Sequence, residues 1–162
     1  MDRSSDPRFA CDAMLGGLAR WLRAAGYDAS WTAGIPDPAL VRQAQAEGRM
    51  ILTSDTDILQ YAVVRDGVVP MLFVPLGLGI QEQLGFVLQR LGLALREPRC
   101  MACGGSLVER QRTEVTDRVP PRSLERQEQF WECRRCRQVF WHGTHWERIV
   151  ERLRAAVAPP RP

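Results

Sequence analysis

The sequence predicts an α/β fold in two parts: a parallel sheet with helices on both faces over residues 8–97, and a small cysteine-stapled part with a closing helix over residues 98–157. Three observations carry that expectation. Short apolar runs alternate with helix-period segments as far as residue 91, the pattern of strands joined by crossover helices. Two cysteine pairs then follow, Cys100-Met101-Ala102-Cys103 and Cys133-Arg134-Arg135-Cys136, and four thiolates in two knuckles can close a tetrahedral Zn²⁺ site. Charge divides at the same place: residues 1–97 carry 9 Arg against 11 Asp and Glu, and residues 98–162 carry 13 Arg against 8.

In order, Arg8-Phe9-Ala10-Cys11-Asp12 reads as a short strand ending in an acid, and Leu15, Leu18, Ala19, Leu22 and Ala25 then repeat with helical spacing up to Gly26. Residues 27–31 alternate as a second strand. Asp37-Pro38 opens a helix, with Asp37 as N-cap, Pro38 at the first helical position, Leu40, Val41 and Ala44 as the stripe and Gly48 as the stop. Residues 50–53 form a continuous apolar strand that runs into Ser54-Asp55-Thr56-Asp57 and a short helix to about Val64. Residues 68–74 are a fourth strand, which Pro70 marks as an edge or an irregular start. Residues 80–91 are a helix with Leu84, Val87, Leu88 and Leu91 on one face. Beyond Pro98 come the first knuckle, a Gly104-Gly105 turn, a polar stretch carrying Leu107, Val108 and Val115, the loop Val119-Pro120-Pro121 and the second knuckle, which is the layout of a zinc ribbon. Residues 146–157 close the chain as a helix, and the ends, 1–7 and 158–162, are expected to be disordered.

Composition excludes some classes. Hydrophobic content of 45% and charged content of 25% are those of a globular chain, so a disordered or fibrous protein is not expected. No apolar run reaches a membrane span and residues 1–10 lack a secretory pattern, so the expectation is a cytoplasmic protein without a membrane partner. In that reducing compartment the cysteine pairs read as zinc ligands and not as disulfides, and Cys11 reads as a small buried residue. All 22 basic residues are arginine, so the arginine content alone says little about phosphate binding; its concentration in the second part says more.

Ligand sites in open parallel sheets gather at the carboxyl ends of the strands, and Asp12 and Asp55 both sit there. Asp57 lies two residues further on, and Asp37 opens a helix on the same side. Four carboxylates in one pocket would repel one another, which makes Mg²⁺ or Mn²⁺ their natural partner, and such an ion can activate water and stabilise an in-line attack on phosphate. Helix capping is the bland reading for Asp37, Asp55 and Asp57 alike.

Asp12-Ala13-Met14-Leu15-Gly16-Gly17-Leu18-Ala19-Arg20-Trp21-Leu22-Arg23, Gly26-Tyr27-Asp28 and the run from Glu47 to Asp55 resemble the Mut-seven C-terminal RNase domain family. The resemblance continues through Arg99 to Cys103, Val119-Pro120, Phe130 to Cys136 and Phe140 to Trp146. It implies a PIN-like nuclease domain followed by a zinc ribbon, with RNA, single-stranded or structured, as the partner. By the PIN pattern Asp12 is the central metal ligand, Asp55 and Asp57 match the TxDxD acids, and Asp37 supplies the remaining carboxylate, although its match to the mid-domain helical acid of that pattern is inexact. The function so implied is metal-dependent hydrolysis of RNA, with catalytic acids Asp12, Asp37, Asp55 and Asp57, Mg²⁺ or Mn²⁺ on Asp12, Asp55 and Asp57, and a structural Zn²⁺ on Cys100, Cys103, Cys133 and Cys136. The rival is a non-catalytic RNA-binding or adaptor module in which the acids are structural.

Arg20 and Arg23 flank Trp21 just after Asp12 and are candidates for phosphate contact, the alternatives being a solvated Arg23 and an Arg20 paired with an acid. Arg134, Arg135 and Arg137 around the second knuckle are the ribbon's candidate nucleic-acid contacts. Arg49, at the opposite end of the sheet, reads as structural. With four thiolates filling the zinc, His142 and His145 are not expected to ligate it. Trp141 and Trp146 either stack on unpaired bases or seal the ribbon against its neighbour, and the second reading is favoured.

Overall fold

The computed structural model describes residues 6–159. Four short strands, β1 (Phe9–Cys11), β2 (Ala29–Ser30), β3 (Met50–Thr53) and β4 (Met71–Phe73), form a wholly parallel sheet in the order β2-β1-β3-β4. The helices between them are α1 (Gly16–Ala24), α2 (Asp37–Glu47), α3 (Ala62–Arg65) and, after β4, α4 (Ile80–Arg90). Single 3₁₀ turns, Ala13–Leu15 and Thr56–Gln60, lead from β1 and β3 into the helical segments. Alternation along each strand splits its side chains between two apolar layers. Phe9, Cys11 and Leu52 face α1 and α4, whereas Ala10 and Ile51 face α2 and α3. Both sheet faces are therefore covered, as expected. Pro70 immediately precedes the edge strand β4, and its carbonyl accepts from the Ile51 N–H at 2.9 Å.

The second part contains an antiparallel ribbon, β5 (Leu107–Arg110), β6 (Phe130–Cys133) and β7 (Val139–Trp141), in the order β5-β6-β7. Between β5 and β6 the chain forms two short helices, α5 (Arg112–Val115) and α6 (Pro121–Arg126), where the sequence suggested only a polar stretch and a loop. The proline pair explains the second: Pro120 is the N-cap and Pro121 starts the helix, where a missing N–H costs nothing. Val115 and Val119 then cover Phe130.

The last helix, α7 (Thr144–Val157), leaves the ribbon and packs on α4, so Ile149 and Leu153 join the same apolar layer as Leu18, Leu22 and Leu84. Met101, within the first knuckle, belongs to that layer as well. The core under α1 is thus completed by residues from beyond 97. Asp6 pairs with Arg96 at 3.1 Å, while residues 1–5 and 160–162 of the ends expected to be disordered lie outside the described residues. Among the described residues no helix is long and apolar enough to cross a membrane.

The α4–α7 crossing is tight at one glycine. A Cβ on Gly85 would lie 2.9 Å from the Ala156 carbonyl oxygen, a backbone atom that cannot turn aside. Alanine ordinarily gains ~0.5–1 kcal/mol over glycine inside a helix, but here the overlap outweighs that gain. Gly85→Ala is expected to lower stability by about 1–3 kcal/mol, read as a reduced urea midpoint of the zinc-loaded protein. A midpoint equal to or above wild type would show that the two helices do not meet there.

Candidate functional site

The parallel register builds the acidic site. Pairing of Cys11 with Leu52 sets the next residues, Asp12 and Thr53, side by side where β1 and β3 end. The Asp12 N–H donates to the Leu52 carbonyl at 2.9 Å, and the Thr53 hydroxyl donates to Asp12 Oδ2 at 2.8 Å. The other Asp12 oxygen, Oδ1, accepts from the Ala13 N–H at 2.6 Å and so caps the 3₁₀ turn that enters α1. Thr53 Oγ1 also accepts from the Asp55 N–H at 3.0 Å. Asp55 Oδ1 in turn accepts from the Asp57 N–H at 2.9 Å. One hydroxyl therefore ties Asp12 to the Asp55 loop. Asp12 is only 7% exposed and Thr53 is fully buried, whereas Asp55 is half-buried and Asp57 exposed, so the array opens to solvent on the Asp57 side.

Asp37 does not cap its helix. Pro36, extended at φ −74° and ψ 150°, is the N-cap and Pro38 falls one position later than expected, so Asp37 stands in the first turn. It makes no side-chain hydrogen bond among the described residues, and its carboxyl is half-buried. Burial, and then the charges of Asp12, Asp55 and Asp57, hold that carboxyl above the usual carboxylate range. Asp12, Asp55 and Asp57 are thus the acids near enough to Asp37 for their charges to act on it. They do not crowd together as tightly as the thiols: the cysteines are the single group among the described residues in which three or more ligand atoms lie within 4.8 Å of one another. A wider spacing suits Mg²⁺, which binds through one or two carboxylates and keeps several of its waters. An all-oxygen donor set under mutual repulsion fits a hard divalent cation.

Sequence reasoning missed two neighbours of this site. Thr53 looked like the last residue of an apolar strand, and its hydroxyl role depends on the register with β1. Trp31 lies just past β2 and lays its indole over the start of α1, donating from Nε1 to the Ala13 carbonyl at 2.9 Å. A Cβ on Gly16 would meet that ring at 2.7 Å. The Gly16-Gly17 pair, poor helix-forming residues at a helix start, was the available signal for such a close approach.

At the other site the Cys100 and Cys136 sulfurs are 3.6 Å apart and those of Cys103 and Cys133 3.4 Å apart. Zn–S bonds of ~2.3 Å at tetrahedral angles require S···S separations of about 3.8 Å, so the four residues fit Zn²⁺. Each knuckle turns through a left-handed residue four positions after its first cysteine, Gly104 at φ 80° and Arg137 at φ 68°. Backbone N–H groups point at the sulfurs: Gly105 donates to Cys103 Sγ at 3.4 Å, and Arg135 and Cys136 donate to Cys133 Sγ at 3.4 and 3.5 Å. Burial pushes the Cys133 thiol up, but these donors, with the neighbouring thiols, outweigh it and bring it down to about 7.

The arginines separate into distinct roles. Arg23, expected to contact nucleic acid, is instead 7% exposed inside the protein, donating from Nε to the Ala29 carbonyl at 2.8 Å and from Nη1 to those of Met101 and Ala102 at 3.0 and 3.1 Å. Helical spacing places it next to Leu22 on the covered face of α1, where no phosphate reaches it. Arg20 is exposed, without an ion pair among the described residues, and lines a cleft against the ribbon. Arg135 donates to the Cys103 carbonyl at 2.9 Å, bridging the knuckles. Arg137 pairs at 3.0 Å with Glu132, which is 1% exposed and also pairs with Arg110 at 3.4 Å and Arg118 at 2.6 Å. Of the three knuckle arginines, Arg134 alone makes no side-chain hydrogen bond or ion pair among the described residues, and it is exposed. Arg49 is structural as expected, buried with Asp28 at 2.9 Å and Glu47 at the far end of the sheet. Cys11 is fully buried, and burial pushes its thiol up to about 12. His142 is stacked between Trp131 and Trp146.

A family model described as the Mut7-C RNAse domain matches residues 7–153. No curated protein and no solved structure matches the chain.

Removing Zn²⁺ with a chelator is expected to unfold the ribbon and release Met101 from the core beneath α1, read as loss of far-ultraviolet dichroism and a lower Tm, both restored by Zn²⁺. Unchanged dichroism and Tm after verified metal removal would exclude a structural site. Asp37 ionises less readily in the folded chain than in the unfolded one, so its contribution to stability is full below the ordinary carboxylate pKa and is lost as pH rises through the raised value. Asp37→Asn is therefore expected to raise Tm at neutral pH without divalent cation, with the gain shrinking on acidification towards the ordinary carboxylate value of 3.8. A variant no more stable than wild type at neutral pH would mean that the charges of the other three acids do not act on Asp37.

Proposed function

Because the chain belongs to the Mut7-C RNAse domain family, we propose that it hydrolyses RNA phosphodiesters at the cluster Asp12, Asp37, Asp55 and Asp57 with Mg²⁺ or Mn²⁺. The observation that carries this reading is the hydrogen-bonded array Asp12–Thr53–Asp55 at the carboxyl edge of a parallel sheet, with Asp37 held above its ordinary range by burial and by the charges across from it. Structural caps alone give no reason for three acids to raise the pKa of a fourth.

A divalent cation held by Asp12, Asp55 and Asp57 supplies charge neutralisation for the phosphodiester and a more acidic water. The chain's own residues do the positioning. Thr53 and the Ala13 N–H fix both Asp12 oxygens in orientation while each keeps acceptor capacity for a ligand. The Asp57 N–H does the same for Asp55. The buried floor made by Thr53 and Asp12 keeps bulk water from one side of the array. In the hydrolysis a water oxygen bonds to phosphorus as the bond from phosphorus to the 3′ oxygen breaks, and that oxygen takes up a proton, leaving a 5′-phosphate and a 3′-hydroxyl. Zn²⁺, with four thiolates around it, has no open position for this chemistry and holds the ribbon in place. Of the five candidate arginines, Arg20 and Arg134, both exposed and unpaired among the described residues, are the ones free to meet RNA phosphates.

Single-stranded RNA incubated with zinc-loaded protein and Mn²⁺ is expected to be cleaved to 5′-phosphate ends. Asp12→Asn should reduce the rate by more than about 100-fold, and Thr53→Val, which leaves every carboxylate but frees Asp12 to turn, by about 10- to 100-fold. Equal cleavage by Asp12→Asn, or products with 3′-phosphate ends, would rule out this site. RNA that is bound but left intact with every divalent metal tried would point to the non-catalytic binding module.

A further inference from the structure

The ribbon sheet buries one face and leaves the other partly open. Along β6 the side chains alternate: Phe130 and Glu132 point towards α5 and α6, where Val115 and Val119 cover Phe130. Trp131, between them, points the opposite way with its cross-strand partner Phe140. That second face is covered in part, by His142 and by Trp146 at the start of α7. It forms one wall of an open cavity of about 610 Å³ whose other walls are Arg20 on α1, Arg99 in the connection between the two parts, and Trp146 at the start of α7.

The aromatic rings of this cavity are arranged as a stack. His142 lies parallel to Trp131, with ring centroids 4.2 Å apart and 23° between planes, and parallel to Trp146 at 5.2 Å and 9°. Burial pushes the His142 pKa down, so at neutral pH the ring is an uncharged aromatic surface. Trp146 also packs against the core beneath α1 and Trp141 against the ribbon core, so part of their area is structural. Trp131 packs in none of the three apolar clusters among the described residues, although it is a large apolar ring held half-buried. Its contacts are instead with His142, stacked on it, and with its cross-strand partner Phe140.

We propose that this cavity is a base-stacking subsite for single-stranded RNA, in which an unpaired base joins the Trp131–His142–Trp146 stack and the adjoining phosphate meets Arg20. The reading rests on RNA as the substrate of the acidic site. Four observations select this occupant. The volume falls within the ~300–1,000 Å³ range of small-ligand pockets, enough for a nucleotide. The facing sides of the three rings are taken up by one another, so a base adds to the stack at its partly exposed Trp131 end, and paired bases hide the faces this needs inside a duplex. The two arginines at the rim outnumber the single acid, Glu97, matching a phosphate backbone. The cavity also joins the ribbon to the helix that begins beside Asp12, so a strand gripped there can run on along α1.

The test measures binding, separately from cleavage. Full-length zinc-loaded protein without added Mg²⁺ or Mn²⁺ is titrated into fluorescein-labelled oligouridylate, and into the same strand annealed to its complement, with anisotropy and tryptophan fluorescence as readouts. Single strands are expected to bind at least about tenfold more tightly than duplex and to quench tryptophan emission. Trp131→Ala should weaken single-strand binding about tenfold or more, Trp131→Phe should restore most of it, and Arg20→Glu should weaken it and flatten its salt dependence. Trp131→Ala and Arg20→Glu proteins that bind like wild type, duplex bound as tightly as single strand, or a wild type that binds no oligonucleotide would each overturn the proposal. If Trp131→Ala fails to fold, the exposed Arg20→Glu and wild-type quenching decide the matter. Asp12→Asn should bind like wild type, so loss of cleavage with binding intact leaves this subsite standing, and intact cleavage with Trp131-independent binding removes it alone.

Discussion

The Arg23 guanidinium is out of water with no carboxylate bonded to it among the described residues, and the two halves of the chain are arranged around that fact. A buried charge is tolerated only where its donors are used. Here Nε is taken by Ala29 beside the sheet edge and Nη1 by Met101 and Ala102 in the first knuckle, while the Arg23 backbone carbonyl accepts from the Arg99 N–H at 2.9 Å. Burial pushes the Arg23 pKa down, and the Cys11, Cys103 and Cys100 thiols pull it back up. Four thiolates on Zn²⁺ carry a net charge of about −2, so the guanidinium beside them is a fitting counter-ion. Gly104 completes the fit: it needs φ 80°, and a Cβ there would come within 3.2 Å of Arg23 Nε. One arginine thus fixes where the ribbon sits on α1, and with it the cleft that Arg20 and Trp131 share.

At the opposite end of α1 the constraint is repulsion. Three acids arrive at one sheet edge because β1 and β3 are neighbours in register, and the fourth comes from the first turn of α2, where Pro36 has taken over the cap and left the Asp37 carboxyl without a local partner. Nothing in the packing requires four negative charges there. Burial and the charges of Asp12, Asp55 and Asp57 hold the Asp37 carboxyl above its usual range, so ionising it costs stability at neutral pH. The ribbon handles its own buried acid differently: Glu132 receives three arginines and the Arg118 hydrogen bond, together with those charges, draws its pKa down. The buried glutamate is met by three arginines, whereas the aspartates at the sheet edge have no cation paired with them among the described residues.

What could be read from the sequence depends on the range of each signal. Cysteine spacing, strand–helix alternation and acids at strand ends are local patterns, and they located the ribbon, the parallel sheet and Asp12 with Asp55. Contacts between distant segments were less legible. Arg23 looked like a surface charge because helical periodicity alone gives a wide boundary between covered and exposed faces, and only the knuckle's carbonyls explain why it turns inward. Thr53 gave no sign of its hydroxyl role without the β1–β3 register. Trp31 was hidden in the same way, its partner Gly16 being on another element. The Pro120-Pro121 pair read as a loop, because a proline that begins a helix and a proline that forbids one differ only in the residues after them.

The cysteine site and the carboxylate cluster are built in different ways. The four cysteine sulfurs converge closely enough to fill a tetrahedral Zn²⁺, which would turn binding energy into structure in a ribbon whose own core is Phe130, Val115 and Val119. The carboxylate cluster is framed differently: β1, β3 and their hydrogen bonds hold Asp12 beside Thr53, and among the described residues no three of its ligand atoms converge within 4.8 Å. Arg23 and α1 connect the two. The helix begins just after Asp12, carries Arg20 into the cleft and ends near the Arg23 guanidinium that holds the first knuckle, so one helix ties the position of the ribbon to the sheet edge where the acids stand.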